Sequence, residues 1–404
     1  MRILVSGASI AGPVLAYWLN HYGFDVTVVE RAPTLRKTGG HAVDLFRPAI
    51  EISEKMGVWP RVEARATGTH RLTLHREGHP KPAVIDLTKI VGAASDRHIE
   101  IMRDDLSEIY YDATRDDVEY LFGDSITAIG RDGEVAFEHG PEREFDIIVG
   151  ADGLHSNVRK LTFGDDPHHT RFIGGYLAVG SAPREMAREG EMTVHVGVGR
   201  TATIYTAAHL DDARVIFLFR AARQLDYDHA ETPRQKELLR DAVAGMHPQV
   251  DEWLAEVDRT PAFYFDAISQ LRLDRWSRRR VTLVGDAGYC PGPVVGGSTS
   301  LAIFGAYVLA GELARTGGET LPAFAAYELA MREPVYRSEM FARGAARGLI
   351  PGSRSAVWAL THGAQLISRL PGSFSKGLAN LGGKGLRMHD SFRVPDYSDL
   401  NSHN

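Results

Sequence analysis

The chain has 404 residues, 44% hydrophobic and 24% charged, a globular composition with room for two or three domains that excludes a disordered tail, a fibre or a small disulfide scaffold. Lys plus Arg number 46 against 52 Asp plus Glu, a net charge of −6, so no overall positive field gathers nucleic acid or anionic lipid, and neither is an expected partner. The single cysteine, Cys290, forms no internal disulfide and no Cys-rich metal site; a reducing cytoplasm is expected, no metal is expected, and any redox chemistry must come from a cofactor.

The first strand, Arg2-Ile3-Leu4-Val5-Ser6, runs straight into a Gly-rich turn, which leaves no apolar stretch for a secretion signal; the fold is expected to begin at residue 1. The turn Gly7-Ala8-Ser9-Ile10-Ala11-Gly12 leads into a helix over 13–22 with Pro13 in its first turn, and 25–30 forms a second strand ending on Glu30. Strand, turn, helix, strand and terminal acid in that register make a βαβ unit with a dinucleotide-binding fingerprint. Gly7 permits the sharp turn, the middle position lets the backbone approach a pyrophosphate, and Gly12 lets the helix lie close to the strand. The helix N-terminus offers its positive dipole end to the phosphates. Ser9 replaces the usual middle glycine. Glu30, with Arg31 beside it, stands where a carboxylate accepts hydrogen bonds from ribose hydroxyls. Contacts to a nucleotide are therefore expected from Gly7, Ser9, Ile10, Ala11, Gly12, Glu30 and Arg31.

Two further strand-and-turn units follow: 145–153 with Gly150-Ala151-Asp152-Gly153 and then Arg159, and 280–287 with Gly285-Asp286-Ala287. Each puts an aspartate just past the carboxyl end of a strand, where open α/β sheets bind ligands; each aspartate alone reads equally as a loop cap. A Gly/Pro-rich loop leads from the last unit to an apolar helix over 298–313. Between these units, alternating runs such as 193–198, 203–206 and 214–219 have the period-2 pattern of antiparallel strands, accompanied by one helix over about 233–256.

The expected fold class is therefore α/β. A discontinuous Rossmann-like domain (1–69, 96–168 and 275–345) carries an inserted, mainly antiparallel β-sheet domain (70–95 and 169–274) and a C-terminal helical segment (346–404). Within that segment, 355–370 is broken by His362, Gln365 and Arg369. It reads as an amphipathic helix that faces the protein's own core or else a membrane or partner, and 396–404 reads as a frayed polar end.

These motifs resemble the flavoprotein aromatic hydroxylases of the para-hydroxybenzoate hydroxylase fold, and within them the tetracycline-inactivating monooxygenases. Gly7-x-Ser9-x-x-Gly12 with Glu30 is similar to that family's ADP fingerprint, Asp152-Gly153 through Arg159 to its DG motif, and Gly285-Asp286 to its GD motif. The stretches 39–45 and 101–106 point to the tetracycline-modifying branch. The resemblance implies tightly held FAD and a transient NADPH or NADH. It places Arg103 beside the flavin ring, Asp286 on the ribityl or pyrophosphate part, and Pro293, Gly296, Gly297 and Ser298 along the ring. Asp152 and Arg159 would then link FAD to nicotinamide docking. His41 and Asp44 are either flavin neighbours or solvent-facing loop residues. Departures from the family pattern are Tyr289 for His, Ser298 for Gly, Ser300 for Asn and Gly305 for Asp.

Only one full fingerprint is present, with no second Gly-rich turn and no CxxC, which argues against disulfide reductases and Baeyer–Villiger enzymes. The implied activity is hydroxylation of an aromatic or polycyclic small molecule with NAD(P)H and O₂ through a flavin hydroperoxide, without a protein nucleophile, in a monomer or homodimer. A reductase or epoxidase of the same fold, or a flavin protein that sequesters a polycyclic compound, remain alternatives. Tyr205, Phe217 and Phe219 alternate on strands and either face a substrate pocket or belong to the core.

Overall fold

The computed structural model describes residues 1–35, 40–89, 95, 97–228, 231–292, 297–369 and 390–401. A six-stranded sheet runs in the order Ser277–Arg278, Val281–Leu283, Ile147–Gly150, Arg2–Ser6, Asp25–Glu30, Glu119–Phe122. All its pairings are parallel except that of Ser277–Arg278 with Val281–Leu283. Ile3, Leu4, Val5, Ile147, Ile148 and Val149 are fully buried, in one core with the helices Ala11–His21 and Ser298–Arg315 and with Ile126, Val135 and Phe137 of a small three-stranded sheet, which is why these strands read as unbroken apolar runs. The helix Ala11–His21 packs on one face, and the helix Ser298–Arg315 packs against it. Three strands distant in the chain are thus neighbours, and their carboxyl ends, bearing the three glycine motifs, open on one edge.

A second, seven-stranded sheet has the order Tyr264–Leu271, Thr170–Pro183, Asp212–Arg220, Arg200–Tyr205, Glu191–Gly197, Arg71–Arg76, Ala83–Asp86. Its pairings are antiparallel except the parallel one between Glu191–Gly197 and Arg71–Arg76. Strand registers sort its side chains. Ala202, Ile204, Val215, Phe217, Phe219 and Phe265 share an outer face, packed under two helices against Leu239, Val250 and Trp253. Tyr205, Arg214, Ile216, Leu218, Tyr264 and Asp266 share the inner face.

The structure corrects the sequence reading at three points and, at Phe217 and Phe219, decides between its two alternatives. Phe217 and Phe219 are outer-face core, one residue out of phase with the inner face that Tyr205 shares. The single helix over 233–256 is two, Thr232–Val243 and Pro248–Arg259, separated by Gly245 at φ +71° and the helix-starting Pro248. The boundary set at 345/346 falls inside one helix, Thr320–Leu349. The C-terminal end is docked: Tyr397 is buried over Gly311, where any Cβ would run into its ring, and its hydroxyl donates to Glu312 Oε1 at 2.8 Å.

The helix Arg354–Arg369 lays Val357 and Ala364 on Leu74, Ile85 and Val196, so its apolar stripe meets the protein's own sheet, as one of the two sequence alternatives has it. Among the described residues no helix is long and apolar enough to cross a membrane.

Tyr397→Ala empties the slot at Gly311 and removes a buried partner of Glu312, so it is expected to cost about 3 kcal/mol of unfolding free energy in urea titration. An unchanged midpoint would show that the terminal segment does not dock.

Candidate functional site

The three motifs touch one another through glycines. Gly7 leaves its strand at φ +109°, and a Cβ there would lie 2.5 Å from the Ala151 carbonyl oxygen. At Gly12 a Cβ would collide with the Gly7 carbonyl. Gly285, at φ +65°, would meet Ala302 and Ala11 at 3.2 and 3.3 Å. The first turn is therefore pressed against both later ones, which only hydrogen at Cα allows.

That packing leaves a set of donors without acceptors at the edge. Among the described residues, the amides of Ser9, Ile10, Ala11 and Gly12 find no acceptor, and no side chain caps the helix they open. The Glu30 carboxylate turns toward them, accepting from the amides of Ala8 and Ala32 at 2.9 Å each. Unpaired amides at a helix N-terminus beside a carboxylate are the donors and acceptor that a pyrophosphate and a ribose require, so the residues present fit the ADP end of a dinucleotide. Arg31 follows Glu30 and is exposed.

The helix Arg103–Asp112 holds the turn from the other side. Arg103 donates to Ser9 Oγ at 3.0 Å, and Ser107, one helical turn on, donates to the Ser9 carbonyl at 2.8 Å. The same helix secures the loop before the strand Ala42–Phe46: Arg103 N donates to the His41 carbonyl at 3.1 Å and Gly40 N to Asp104 Oδ2 at 3.0 Å. From the seven-stranded sheet, Arg214 Nε donates to the Gly40 carbonyl at 3.0 Å and Ala42 N donates to the Tyr205 hydroxyl at 2.7 Å. Tyr205 thus braces the loop that carries His41.

Burial and then the nearby Arg103 charge push His41 down to about 4, against the pull of Asp44. Asp44, 39% exposed, pairs with His98 Nε2 at 2.6 Å. Burial pushes His98 down, but the hydrogen bond to Asp44 and its charge, with Glu100 and Asp390 behind it, outweigh that and leave His98 raised.

In the second motif, Asp152 Oδ2 accepts from the amides of Asn157 and Val158 at 2.8 and 3.0 Å, closing the start of the helix Asn157–Phe163 after the φ +80° turn at Gly153. Arg159 is buried and donates to the Ala287 carbonyl at 3.0 Å and to the Leu154 carbonyl, tying the second motif to the third. Asp286 is raised by burial, with Arg103 opposing. Gly297, at φ +87°, precedes the helix that Ser298 opens, while Pro293 and Gly296 lie outside the described residues.

Two departures from the family pattern explain each other. The Tyr289 hydroxyl, bonded to Tyr327 at 3.0 Å, fills the space where a Cβ at position 305 would stand, so Gly305 accompanies Tyr289. Ser300 accepts from Phe46 N at 3.0 Å, fastening the long helix to the strand Ala42–Phe46. Sequence reasoning passed over Asp104, Ser107 and Arg214. Ser107 is legible as the i+4 neighbour of Arg103 on one helix face, and Arg214 as a charge at an inward position of an apolar strand.

Fold and site together define a flavoprotein of the FAD-dependent oxidoreductase class. The FAD binding domain family matches residues 1–321, and the chain belongs to that family, among its flavin-dependent monooxygenases. It is 39% identical to an uncharacterised protein of Mycobacterium tuberculosis (strain ATCC 25618 / H37Rv), over 83% of this chain and 91% of that one. It is 34% identical to a flavin-dependent monooxygenase of an unknown prokaryotic organism, over 84% of this chain and 88% of that one. The crystal structure of the tetracycline destructase Tet(55) superposes with a TM-score of 0.82 at 29% identity, covering 98% of each chain.

Two outcomes follow. Gly305→Ala sets a methyl against the Tyr289 hydroxyl and is expected to cost about 1–3 kcal/mol, of which Tyr289→Phe in the same chain restores part; additive losses in that double-mutant cycle would contradict the coupling. Unfolded His41 takes a proton near pH 6.5 whereas the folded residue resists to about pH 4, so its share of stability is complete above 6.5 and drains away as pH falls between those values. Stability measured at pH 7 and pH 5 should therefore differ less in His41→Asn than in the parent.

Proposed function

We propose that this chain uses NAD(P)H and O₂ to hydroxylate an aromatic or polycyclic small molecule, with FAD held where the three glycine motifs meet. The observation that carries the reading is the row of amides at Ser9, Ile10, Ala11 and Gly12 without an acceptor, beside the Glu30 carboxylate. When bound, FAD supplies a hydride acceptor and a site of oxygen activation.

The protein's own work is to bind, orient and exclude water. The amides take the pyrophosphate, and the lone pairs that Glu30 keeps free of Ala8 and Ala32 take ribose hydroxyls. The two glycines, Gly7 and Gly12, make that approach possible, and Arg31 flanks it. Arg103 sets the edge of the first turn through Ser9 and, with His41 and Asp44, forms the wall toward the ring. A neutral His41 there adds no charge to compete with Arg103. Gly285 and Asp286 contact the ribityl or pyrophosphate part; Gly297 and Ser298 open the helix whose positive end faces the ring. Asp152, Gly153 and Arg159 support docking of the nicotinamide donor, which has no fingerprint of its own. Tyr205 borders the substrate side; Phe217 and Phe219 do not. The likeness to Tet(55) supports a polycyclic substrate.

The purified protein should carry or take up FAD, seen in its visible spectrum, and Glu30→Ala should weaken that uptake tenfold or more, about 1.4 kcal/mol. NAD(P)H consumption should rise with substrate and give a product one oxygen heavier. A colourless protein that ignores added FAD contradicts the reading; a saturable polycyclic ligand without turnover would make it a sequestering protein.

A further inference from the structure

One network on the inner face has no part in the site described above. Asp266 lies in the strand Tyr264–Leu271 with its carboxylate only 4% exposed, yet its partner His155 is on the turn after Asp152 with 56% of its side chain in solvent. His155 Nε2 stands 2.7 Å from Asp266 Oδ2, and the Tyr264 hydroxyl donates to that same oxygen at 3.1 Å. The other oxygen, Oδ1, accepts from Ala267 N at 2.8 Å. A carboxylate this deep is costly unless paired, and an apolar residue packs such a position at less expense.

We infer that His155, Asp266 and Tyr264 form a relay that carries a proton from solvent to the substrate side of the inner sheet face. The inference rests on the oxygenase reading, whose overall balance, R–H + NAD(P)H + H⁺ + O₂ → R–OH + NAD(P)⁺ + H₂O, consumes one solvent proton per turnover. A site that excludes water has to admit that proton by another route. Here the geometry supplies one, because both donors converge on Asp266 Oδ2.

Protonated His155 passes its Nε2 proton to Oδ2. Oδ2 passes a proton to the Tyr264 oxygen as the Tyr264 hydroxyl gives up its own to the oxygen being reduced, which leaves as water when the other atom goes to substrate and as hydrogen peroxide when no substrate is present (FADH⁻ + O₂ + H⁺ → FAD + H₂O₂). Bulk water then reprotonates His155. One proton enters, one is consumed, and each relay group returns to its starting state.

The surroundings set the starting state of the relay. Burial, followed by the charge of Asp266, pushes Tyr264 well above the ordinary phenol value, so it begins with its proton on. Tyr264 shares the inner face with Tyr205 and Arg214, whose polar groups hold the loop ahead of the strand Ala42–Phe46. Cys290, from the turn after Asp286, and Tyr176 and Tyr227 lie within electrostatic reach of Asp266.

The test follows reoxidation of the FAD-loaded, reduced protein by O₂ in stopped flow, without nicotinamide, so that effects on donor docking are not read. His155→Gln should slow the proton-dependent phase at least about tenfold, and added imidazole should restore it. Asp266→Asn and Tyr264→Phe should slow it without rescue, and the parent's slowing in D₂O should shrink in all three. A rate unchanged in His155→Gln, or a slowing that imidazole leaves untouched, overturns the relay. Independently, in protein labelled with ¹³Cζ tyrosine, the Tyr264 signal, identified by its loss in Tyr264→Phe, should titrate at lower pH in Asp266→Asn. An unmoved titration overturns the hydrogen bond on which the relay stands. FAD retention and substrate-stimulated NAD(P)H consumption judge the oxygenase reading separately.

Discussion

The close approach of three backbone turns at the carboxyl ends of neighbouring parallel strands is the constraint on which the rest depends. Gly7 lies against Ala151, and Gly285 lies against Ala11 and Ala302, so segments separated by well over a hundred residues share one edge of a sheet. A side chain at any of these glycines would separate the turns. With them in contact, the first turn of the helix Ala11–His21 presents bare amides at a point that Glu30 and Arg103 flank with opposite charges. The electrostatics follow from the packing: a helix start that has no cap of its own is complete only when an anion supplies one.

The second sheet contributes through one face only. Its outer face is ordinary core under two helices, while its inner face carries the polar groups that reach across: Arg214 to Gly40, the Tyr205 hydroxyl to Ala42, Asp266 to His155. The loop ahead of the strand Ala42–Phe46 is therefore held from two directions, by Asp104 and Arg103 on one side and by the inner face on the other. His41 owes both its burial and its neutrality to that double hold. A change of register by one residue in the strand Asp212–Arg220 would turn Arg214 outward and bury Phe217 against the loop, so strand phase decides which residues face the loop.

Much of this was legible in the chain. The βαβ unit announces itself by glycine spacing and a terminal acid, because those features are local consequences of one turn's geometry. The alternating runs gave the strands of the second sheet for the same reason. What pattern did not supply was the choice of face. Tyr205, Phe217 and Phe219 carry the same alternation, and only pairing with partner strands puts the first inward and the other two outward. Long-range hydrogen bonds were equally hidden: Arg214 and Asp266 are single polar residues in apolar strands, and their partners lie 174 and 111 residues away. The docked C-terminal end was missed because its one anchoring ring, Tyr397, is surrounded by polar residues, and its slot exists only where Gly311 faces it.

The central claim is that the bare amides of the opening turn hold the ADP end of FAD. Titrating the apoprotein into FAD while following flavin fluorescence tests it most directly, with ADP as competitor and Gly12→Ala as the altered chain. The account predicts one FAD per chain, displacement by ADP, and loss of uptake in Gly12→Ala while the seven-stranded sheet's circular dichroism persists. Undiminished FAD uptake by Gly12→Ala, or indifference to ADP, would contradict it.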